Sequence, residues 1–160
     1  MLISSKISGG INGNIKIPGD KSISHRSIII PSISIGSSEV TNLLLSQDVM
    51  HTLNAFKNMG VNIVQDNKKI LIEGNGLKSL KKPFKPIYLG NSGTSARLLA
   101  GLLSSQNFDS KLTGDESLSN RPMKRITSPL EIMGGKFNST KGSLPIEIYG
   151  QKLNKIRYEI

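Results

Sequence analysis

The stretch IYLGNSGTSARLLAGLL, residues 87–103, decides the class of fold. It opens with a short apolar strand over 87–89, turns through a loop of small residues over 90–94, and runs directly into a helix with apolar spacing over 96–103. No Gly-Lys-Ser/Thr follows at the spacing of a Walker loop, and the glycines do not match GxGxxG. The stretch therefore predicts an α/β protein with a glycine loop in front of a helix.

The same alternation of strands and helices extends in both directions from this stretch. Alternating isoleucines predict a strand over 11–17, and a helix follows from Lys21 to Ile33, which Pro31 is expected to kink or shorten. Apolar spacing along Ile126, Leu130 and Met133 predicts a buried helical stripe further on. The other predicted elements are a strand over 39–45, a helix from Ser46 to Gly60, hairpin strands over 61–65 and 69–73, a strand over 108–113, a polar loop over 114–121, and a helix with Pro122 at its first position.

An internal repeat is visible where two of these helices end. Met59-Gly60 precedes a hairpin that ends at Gly74, and Met133-Gly134 precedes a segment that ends at Gly150. The two copies lie about 75 residues apart, which predicts an α/β unit that is used more than once. The second copy finishes close to the last residue, so we expect an incomplete repeat assembly.

The composition limits the possible functions. The 160 residues contain no Cys, which excludes disulfides, thiolate metal sites and Cys nucleophiles, and the two His residues are too isolated to predict a metal site. No signal peptide and no apolar run of roughly 20 residues is present. We therefore expect a cytoplasmic chain without a metal site or a membrane span.

The charge predicts anionic ligands. The chain carries 21 Lys and Arg against 11 Asp and Glu, a formal net charge of +10 that attracts nucleic acid, acidic membranes or phosphorylated metabolites alike. Aromatic residues are only 4%, so stacking platforms for single-stranded nucleic acid are scarce. Most of the Lys residues are scattered along the chain, as on an ordinary solvated surface.

Three segments combine turn residues, hydroxyls and cations in the pattern of anion-binding loops. In residues 19–26, a helix start directs unpaired N–H groups at a ligand, and Ser22 and Arg26 share one helical face. In residues 90–97, Gly93 allows close approach of a ligand to the backbone, whereas Arg97 is equally suited to bracing the loop or contacting the ligand. In residues 114–125, Arg121 lies just before a helix start, where it can bind a carboxylate or phosphate in bidentate fashion.

Together these segments resemble the 5-enolpyruvylshikimate-3-phosphate (EPSP) synthase family. The matching stretches are residues 19–26, 89–98 and 112–118, followed by Arg121-Pro122-Met123, in the family's order. The resemblance covers essentially the whole chain but only the first third of the family's length. It implies repeated α/β units of the enolpyruvyl transferase fold, an inside-out α/β barrel, here incomplete. Residues 1–18 would be an inter-domain strand segment and 19–160 the repeated units of the N-terminal domain, with the C-terminal domain absent.

The resemblance also implies ligands and residue roles. Lys21 would be catalytic and lie where both substrates meet, with Ser22 and Arg26 binding shikimate 3-phosphate, and Asn91, Gly93 and Arg121 joining Lys21 at phosphoenolpyruvate. The complete enzyme would be a monomer that transfers the enolpyruvyl group to the 5-hydroxyl of shikimate 3-phosphate without a cofactor, and this chain alone would be inactive. His25 would be structural.

Two departures and two alternatives accompany the resemblance. Leu98 stands where many members have Pro, and Pro31 stands in a helix that is usually unbroken. Ser104-Ser105-Gln106 lies at a helix end and is not the family's Ser-Ser-Gln substrate segment. The alternatives are the related enzyme that acts on UDP-N-acetylglucosamine, which would carry a reactive Cys that is missing here, and a basic nucleic-acid-binding module.

Overall fold

A computed structural model describes residues 3–4, 6, 9–10, 12–66 and 69–159. The helices are α1 (Lys21–Ile33), α2 (Gln47–Asn58), α3 (Gly93–Ser104), α4 (Glu116–Ser119) and α5 (Lys124–Ile132). The strands are β1 (Ile35–Thr41), β2 (Asn62–Asp66), β3 (Lys69–Asn75), β4 (Ile87–Tyr88), β5 (Ser110–Thr113), β6 (Lys136–Ser139) and β7 (Ile146–Tyr149). No helix in the described part of the chain is long and apolar enough to cross a membrane.

The strands of the described residues form two sheets that share one arrangement of three antiparallel strands. In the first sheet the order is β1-β3-β2, with every neighbouring pair antiparallel. In the second the order is β4-β5-β7-β6, where β5, β7 and β6 repeat the antiparallel arrangement and β4 adds a parallel strand beside β5. The repeat predicted from the sequence is confirmed, because α1-β1-α2-β2-β3 corresponds in order and pairing to α3-β5-α5-β6-β7.

The glycines that revealed the repeat have a shared structural reason. Gly60 has a φ of 86° and Gly134 a φ of 96°, each directly after the residue that caps α2 or α5. This left-handed conformation reverses the chain from the helix into the following strand, and it is costly for residues with a Cβ.

Apolar side chains of the helices pack against the sheets in a continuous core. Its largest fully buried members from the first unit are Ile28, Leu53, Phe56, Met59 and Ile72. From the second unit they are Ile87, Leu89, Leu99, Leu103, Leu112, Leu118 and Met123. Because α2 and α3 are in contact with each other as well as with strands, the two units share one core.

Several element boundaries differ from the sequence prediction. The strand predicted over 39–45 is β1 at Ile35–Thr41, an edge strand whose polar sequence lacks the apolar alternation that marks buried strands. Pro31 does not shorten α1, since the helix continues to Ile33 and the Ser34 N–H closes it on the carbonyl oxygens of Ile30 and Pro31. Pro31 cannot donate to the carbonyl oxygen four residues earlier, but only two residues of α1 follow it, so little of the helix depends on the lost bond.

The first predicted strand is not formed. Ile11 lies outside the described residues, and residues 12–18 have no regular secondary structure, with Ile15 and Ile17 exposed. Alternating isoleucines make a strand only beside a partner strand, and none of the described strands pairs with this segment. The two hairpin strands over 61–65 and 69–73 are confirmed as β2 and β3, although Asn67 and Lys68 of their turn lie outside the described residues.

The loop predicted over 114–121 contains the short helix α4, which Asp115 caps by accepting from Leu118 N–H at 2.7 Å. The next helix begins at Lys124 rather than at Pro122. Its predicted stripe of Ile126, Leu130 and Met133 is only half-buried, because α5 packs on one side against α3 and β6.

The packing of α1 on β3 gives a stability prediction for two glycines. A β-carbon at Gly74 would lie 2.1 Å from the carbonyl oxygen of Pro31, whereas one at Gly101, inside α3, meets nothing within 4 Å. Gly74→Ala is expected to lower the free energy of unfolding by about 1–3 kcal/mol through overpacking, and Gly101→Ala to raise it by about 0.5–1 kcal/mol. Urea unfolding of both variants measures this, and a loss in Gly101→Ala equal to that in Gly74→Ala would contradict the packing.

Candidate functional site

The start of α1 is fixed on both sides by the residues around it. Asp20 caps the helix by accepting from Ile23 N–H at 2.7 Å, and Ser24 Oγ accepts from Leu44 N–H at 3.0 Å. A β-carbon at Gly19 would lie 2.3 Å from Asn42 O, so only glycine fits this approach. The first segment singled out in the sequence is therefore a helix start held against the chain that follows β1.

The predicted ligand residues of α1 lie at this fixed end. Lys21, Ser22 and Arg26 are all exposed. The Lys21 ammonium pairs with the Asp48 carboxylate in the first turn of α2. Arg26 also lines a groove of about 510 Å³ between α1 and β1. Two cations and a hydroxyl are thus available to a ligand at the beginning of α1.

The glycine loop and the third segment are joined to each other. Leu89 N–H donates to Thr113 O, and Asp115 N–H donates to Gly90 O, both at 2.9 Å. The Arg121 guanidinium donates to the Asn91 side-chain oxygen. Arg97 Nη1 donates to Gly93 O at 3.3 Å, so Arg97 braces its own loop. The structure thus brings together Asn91, Gly93 and Arg121.

Gly93 is the point on which two guanidinium groups converge. A β-carbon at position 93 would lie 2.8 Å from Nη1 of Arg97 and 3.0 Å from Nη1 of Arg121. Gly93 is also the first residue of α3, a helix of 12 residues, where backbone N–H groups and the positive end of the helix dipole favour anions. We call Lys21, Ser22, Arg26, Asn91, Gly93 and Arg121 the anion cluster.

A buried row of polar side chains lies where α1, α2 and α3 meet. His25 Nδ1 is 2.8 Å from Thr52 Oγ1, Thr52 Oγ1 is 2.6 Å from Ser95 Oγ, and Ser95 Oγ is 2.6 Å from Ser92 Oγ. All four residues are 0% exposed. We call this row the hydroxyl–imidazole chain.

His25 is electrostatically poised between two charged groups of the site. Burial lowers the pKa of His25 below its ordinary value of 6.5, the Asp48 carboxylate acts in the opposite direction, and the Lys21 ammonium lowers the pKa further. His25 is therefore neutral at neutral pH. Its buried Nε2 has no hydrogen-bond partner among the described residues.

Sequence reasoning missed Asp48, His51 and Thr52 as parts of this region, and it placed Ser92 and Ser95 in the second segment without a role for their side chains. His51 lies against the loop, since a β-carbon at Gly90 would be 2.4 Å from His51 Nε2. Its ring also contacts Tyr88 edge-on, with 5.4 Å between ring centroids. Asp48 gave a signal in the sequence only as a helix-start residue, and His51 and Thr52 gave none because they act through contacts between distant segments.

These observations describe an α/β protein of repeated units in which cationic side chains lie beside a glycine loop at a helix start. Residues 5–160 match the family model of EPSP synthase (3-phosphoshikimate 1-carboxyvinyltransferase). The 3-phosphoshikimate 1-carboxyvinyltransferase of Legionella pneumophila subsp. pneumophila (strain Philadelphia 1) is 53% identical over 156 residues, 96% of this chain and 36% of that protein. That of Ruthia magnifica is 49% identical over 156 residues, 97% of this chain and 36% of that protein.

The fold comparison agrees with the sequence comparison. EPSP synthase from Acinetobacter baumannii superposes with a TM-score of 0.88 at 49% identity, covering 91% of this chain and 34% of that one. The chain belongs to the EPSP synthase family, and its fold is part of the enolpyruvyl transferase fold. It spans about a third of the length of the curated relatives it matches.

The lowered pKa of His25 predicts how stability depends on pH. Because the folded-state pKa lies below the unfolded value near 6.5, the unfolded chain takes up the proton more readily, so stability is complete above that pH and is lost as pH falls below it. Urea unfolding at pH 7.5 and 5.5 is expected to show this loss, and His25→Asn is expected to reduce it.

The matched control is His51→Asn, which removes the other histidine and leaves His25 in place. The pKa of Glu147 is also lowered, first by its hydrogen bond from Asn138 and then by Lys111, but this group titrates below 4.5 and so outside the tested window. An equal acid loss in His25→Asn and the unsubstituted chain would contradict the assignment.

Proposed function

We propose that this chain forms the N-terminal part of an EPSP synthase, which transfers the enolpyruvyl group of phosphoenolpyruvate to the 5-hydroxyl of shikimate 3-phosphate and releases phosphate. The observation that carries the proposal is the convergence of two guanidinium groups on Gly93 at the first residue of α3. A side chain there would fill the space that an anion needs. Membership of the family supplies the reaction.

The chemistry requires many fixed positive groups in one place. Two phosphates and a carboxylate repel one another, and preorganised cations and N–H donors offset this repulsion where water is excluded. The hydroxyl adds across the double bond of phosphoenolpyruvate, with its oxygen bonding to the enol carbon and a proton to the methylene carbon. The resulting intermediate then loses a proton from the new methyl group together with phosphate, which restores the double bond. Preorganised groups that stabilise the charge developing in the transition state lower the barrier because they need no rearrangement during the reaction.

Within the anion cluster, each residue has a distinct task in this proposal. Ser22 and Arg26 bind the phosphate of shikimate 3-phosphate at the exposed start of α1. Asn91, Gly93 and Arg121 bind phosphoenolpyruvate, and the bond between Arg121 and Asn91 fixes the direction of the guanidinium. Lys21 serves both substrates and is the catalytic residue of this part, and Asp48 pairs with its ammonium group.

The proposal also covers the location, oligomeric state and ligands of the complete protein. It works as a cytoplasmic monomer on two small molecules, without an organic cofactor, a metal or nucleic acid. The acid and base groups lie in the remaining two thirds of the family's length, so the 160-residue chain is expected to bind ligand weakly without turnover.

Arg121 and Lys82 provide a matched pair of cations for testing the phosphoenolpyruvate site. Arg121 is half-buried and bonded to Asn91, whereas Lys82 is exposed in the connection before β4. In a full-length protein that carries this segment, Arg121→Ala is expected to weaken the binding of phosphoenolpyruvate by about 2–5 kcal/mol. Lys82→Ala is expected to weaken it by well under about 1 kcal/mol. Steady-state kinetics in phosphoenolpyruvate measures both, and equal effects would count against the assignment.

Lys21→Met tests the residue that is proposed to serve both substrates. In the full-length protein the variant is expected to abolish turnover while circular dichroism shows an unchanged fold. In the 160-residue chain it is expected to reduce binding of shikimate 3-phosphate in titration calorimetry. If the chain instead bound nucleic acid, the variant would only lower the salt slope by about one unit. Normal turnover with Met at position 21 would overturn the assignment.

A further inference from the structure

The hydroxyl–imidazole chain has one favoured direction of hydrogen bonding. Ser92 Oγ accepts from Ser95 N–H at 3.3 Å, which leaves its own proton for Ser95 Oγ. Ser95 then donates to Thr52, and Thr52 donates to His25 Nδ1 at 2.8 Å rather than to the more distant Asp48 O at 3.4 Å, so every hydroxyl donates once and accepts once. The reverse direction leaves the Ser92 hydroxyl proton without an acceptor among the described residues, whereas His25 Nε2 lacks a partner in either direction. The favoured direction places the proton of neutral His25 on Nε2.

Stability alone does not explain why these groups are buried. A buried hydrogen bond contributes only about 0.5–1.5 kcal/mol, and apolar groups of the same shape in place of both partners are often neutral or better. A connected buried network, in contrast, fixes one arrangement of the elements that carry it. The hydroxyl–imidazole chain joins residues of α1, α2 and α3, so what it fixes is the relative position of these helices.

Each member lies near a residue of the anion cluster or near Asp48, which pairs with Lys21 of that cluster. His25 immediately precedes Arg26, and Ser92 and Ser95 flank Gly93. Thr52 lies one turn after Asp48, whose carbonyl oxygen its hydroxyl approaches at 3.4 Å and whose carboxylate holds Lys21. The hydroxyl–imidazole chain therefore connects the start of α1, which carries Lys21, Ser22 and Arg26, with the glycine loop, and it does so through α2.

We propose that the hydroxyl–imidazole chain holds the glycine loop at a fixed place relative to the start of α1, which makes Thr52 and Ser95 positioning residues for the two bound substrates. This inference rests on the proposed function, because it assumes that one ligand binds at each end of the hydroxyl–imidazole chain. Neither residue touches substrate in this account. Both act by keeping Gly93 and Arg26 at the separation that the two ligands require, and small misplacements of such groups are costly.

Two substitutions at Thr52 separate the hydroxyl group from the shape of the side chain. Thr52→Val keeps the shape and removes the hydroxyl, whereas Thr52→Ser keeps the hydroxyl and removes a methyl. Ser95→Ala breaks the same chain one step further on. The matched control is Ser104→Ala, another fully buried serine of α3, whose hydroxyl donates to Gly101 O at 2.8 Å away from the cluster.

The first measurement needs no ligand. Amide hydrogen exchange followed by NMR in the 160-residue chain compares residues 22–26 with residues 93–97. Thr52→Val and Ser95→Ala are expected to accelerate exchange about tenfold in both segments, and Ser104→Ala in neither. The ¹⁵N resonance of His25 Nδ1 is expected to shift in Thr52→Val and to stay in place in Thr52→Ser. Acceleration confined to the helix that carries the substitution would overturn the inference.

The second measurement is calorimetric titration of phosphoenolpyruvate with shikimate 3-phosphate present. Thr52→Val and Ser95→Ala are expected to raise the Kd about tenfold, and Thr52→Ser is expected to return it to within about twofold of the unsubstituted chain. Equal losses in Thr52→Val and Thr52→Ser would show that packing rather than the hydroxyl matters, and would refute positioning. If the unsubstituted chain binds neither substrate, the proposed function fails, while the exchange measurement still decides whether the two segments are coupled.

Discussion

The absence of side chains at Gly90 and Gly93 is the constraint on which the rest of the site depends. His51 approaches the first glycine from α2, and Arg97 and Arg121 approach the second from α3 and from the segment after α4. A methyl group at either position would collide with one of these side chains or displace it. The loop is therefore the place where parts of the chain that are distant in sequence come close enough to act on one ligand.

The repeat explains why such a loop arises at this point of the fold. The strand that precedes the second unit, β4, lies parallel beside β5, so the loop after β4 and the loop after β5 leave the sheet at the same edge. The backbone bond from Asp115 to Gly90 joins these two loops directly. Asn91 and Arg121, which are separated in sequence by α3, β5 and α4, thus become neighbours.

Local patterns were sufficient to predict the α/β class, the repeat, both helix-ending glycines and the hairpin of β2 and β3. They failed where pairing decides the structure: residues 12–18 have the alternation of a strand but no partner, and β1 has a partner but no apolar alternation. The residues of the anion cluster were singled out because glycines, Arg and Lys at helix starts are visible in sequence. The hydroxyl–imidazole chain was not, because Ser, Thr and His are ordinary in helices until the fold places them within 3 Å of one another.

The polar sequence that made β1 difficult to predict also affects how readily the protein aggregates. Among the described residues, β1 is an outer strand of the first sheet, and its free backbone groups resemble those through which proteins aggregate edge to edge. Its central residues are Gly36, Ser37, Ser38 and Glu39, and Glu39 forms an ion pair with Lys69 at 2.8 Å. A flat apolar strand at this edge would pair with the same strand of other molecules. A hydrated and charged strand disfavours such pairing. The residues that make this edge hard to recognise as a strand thus also help to keep the chain in solution.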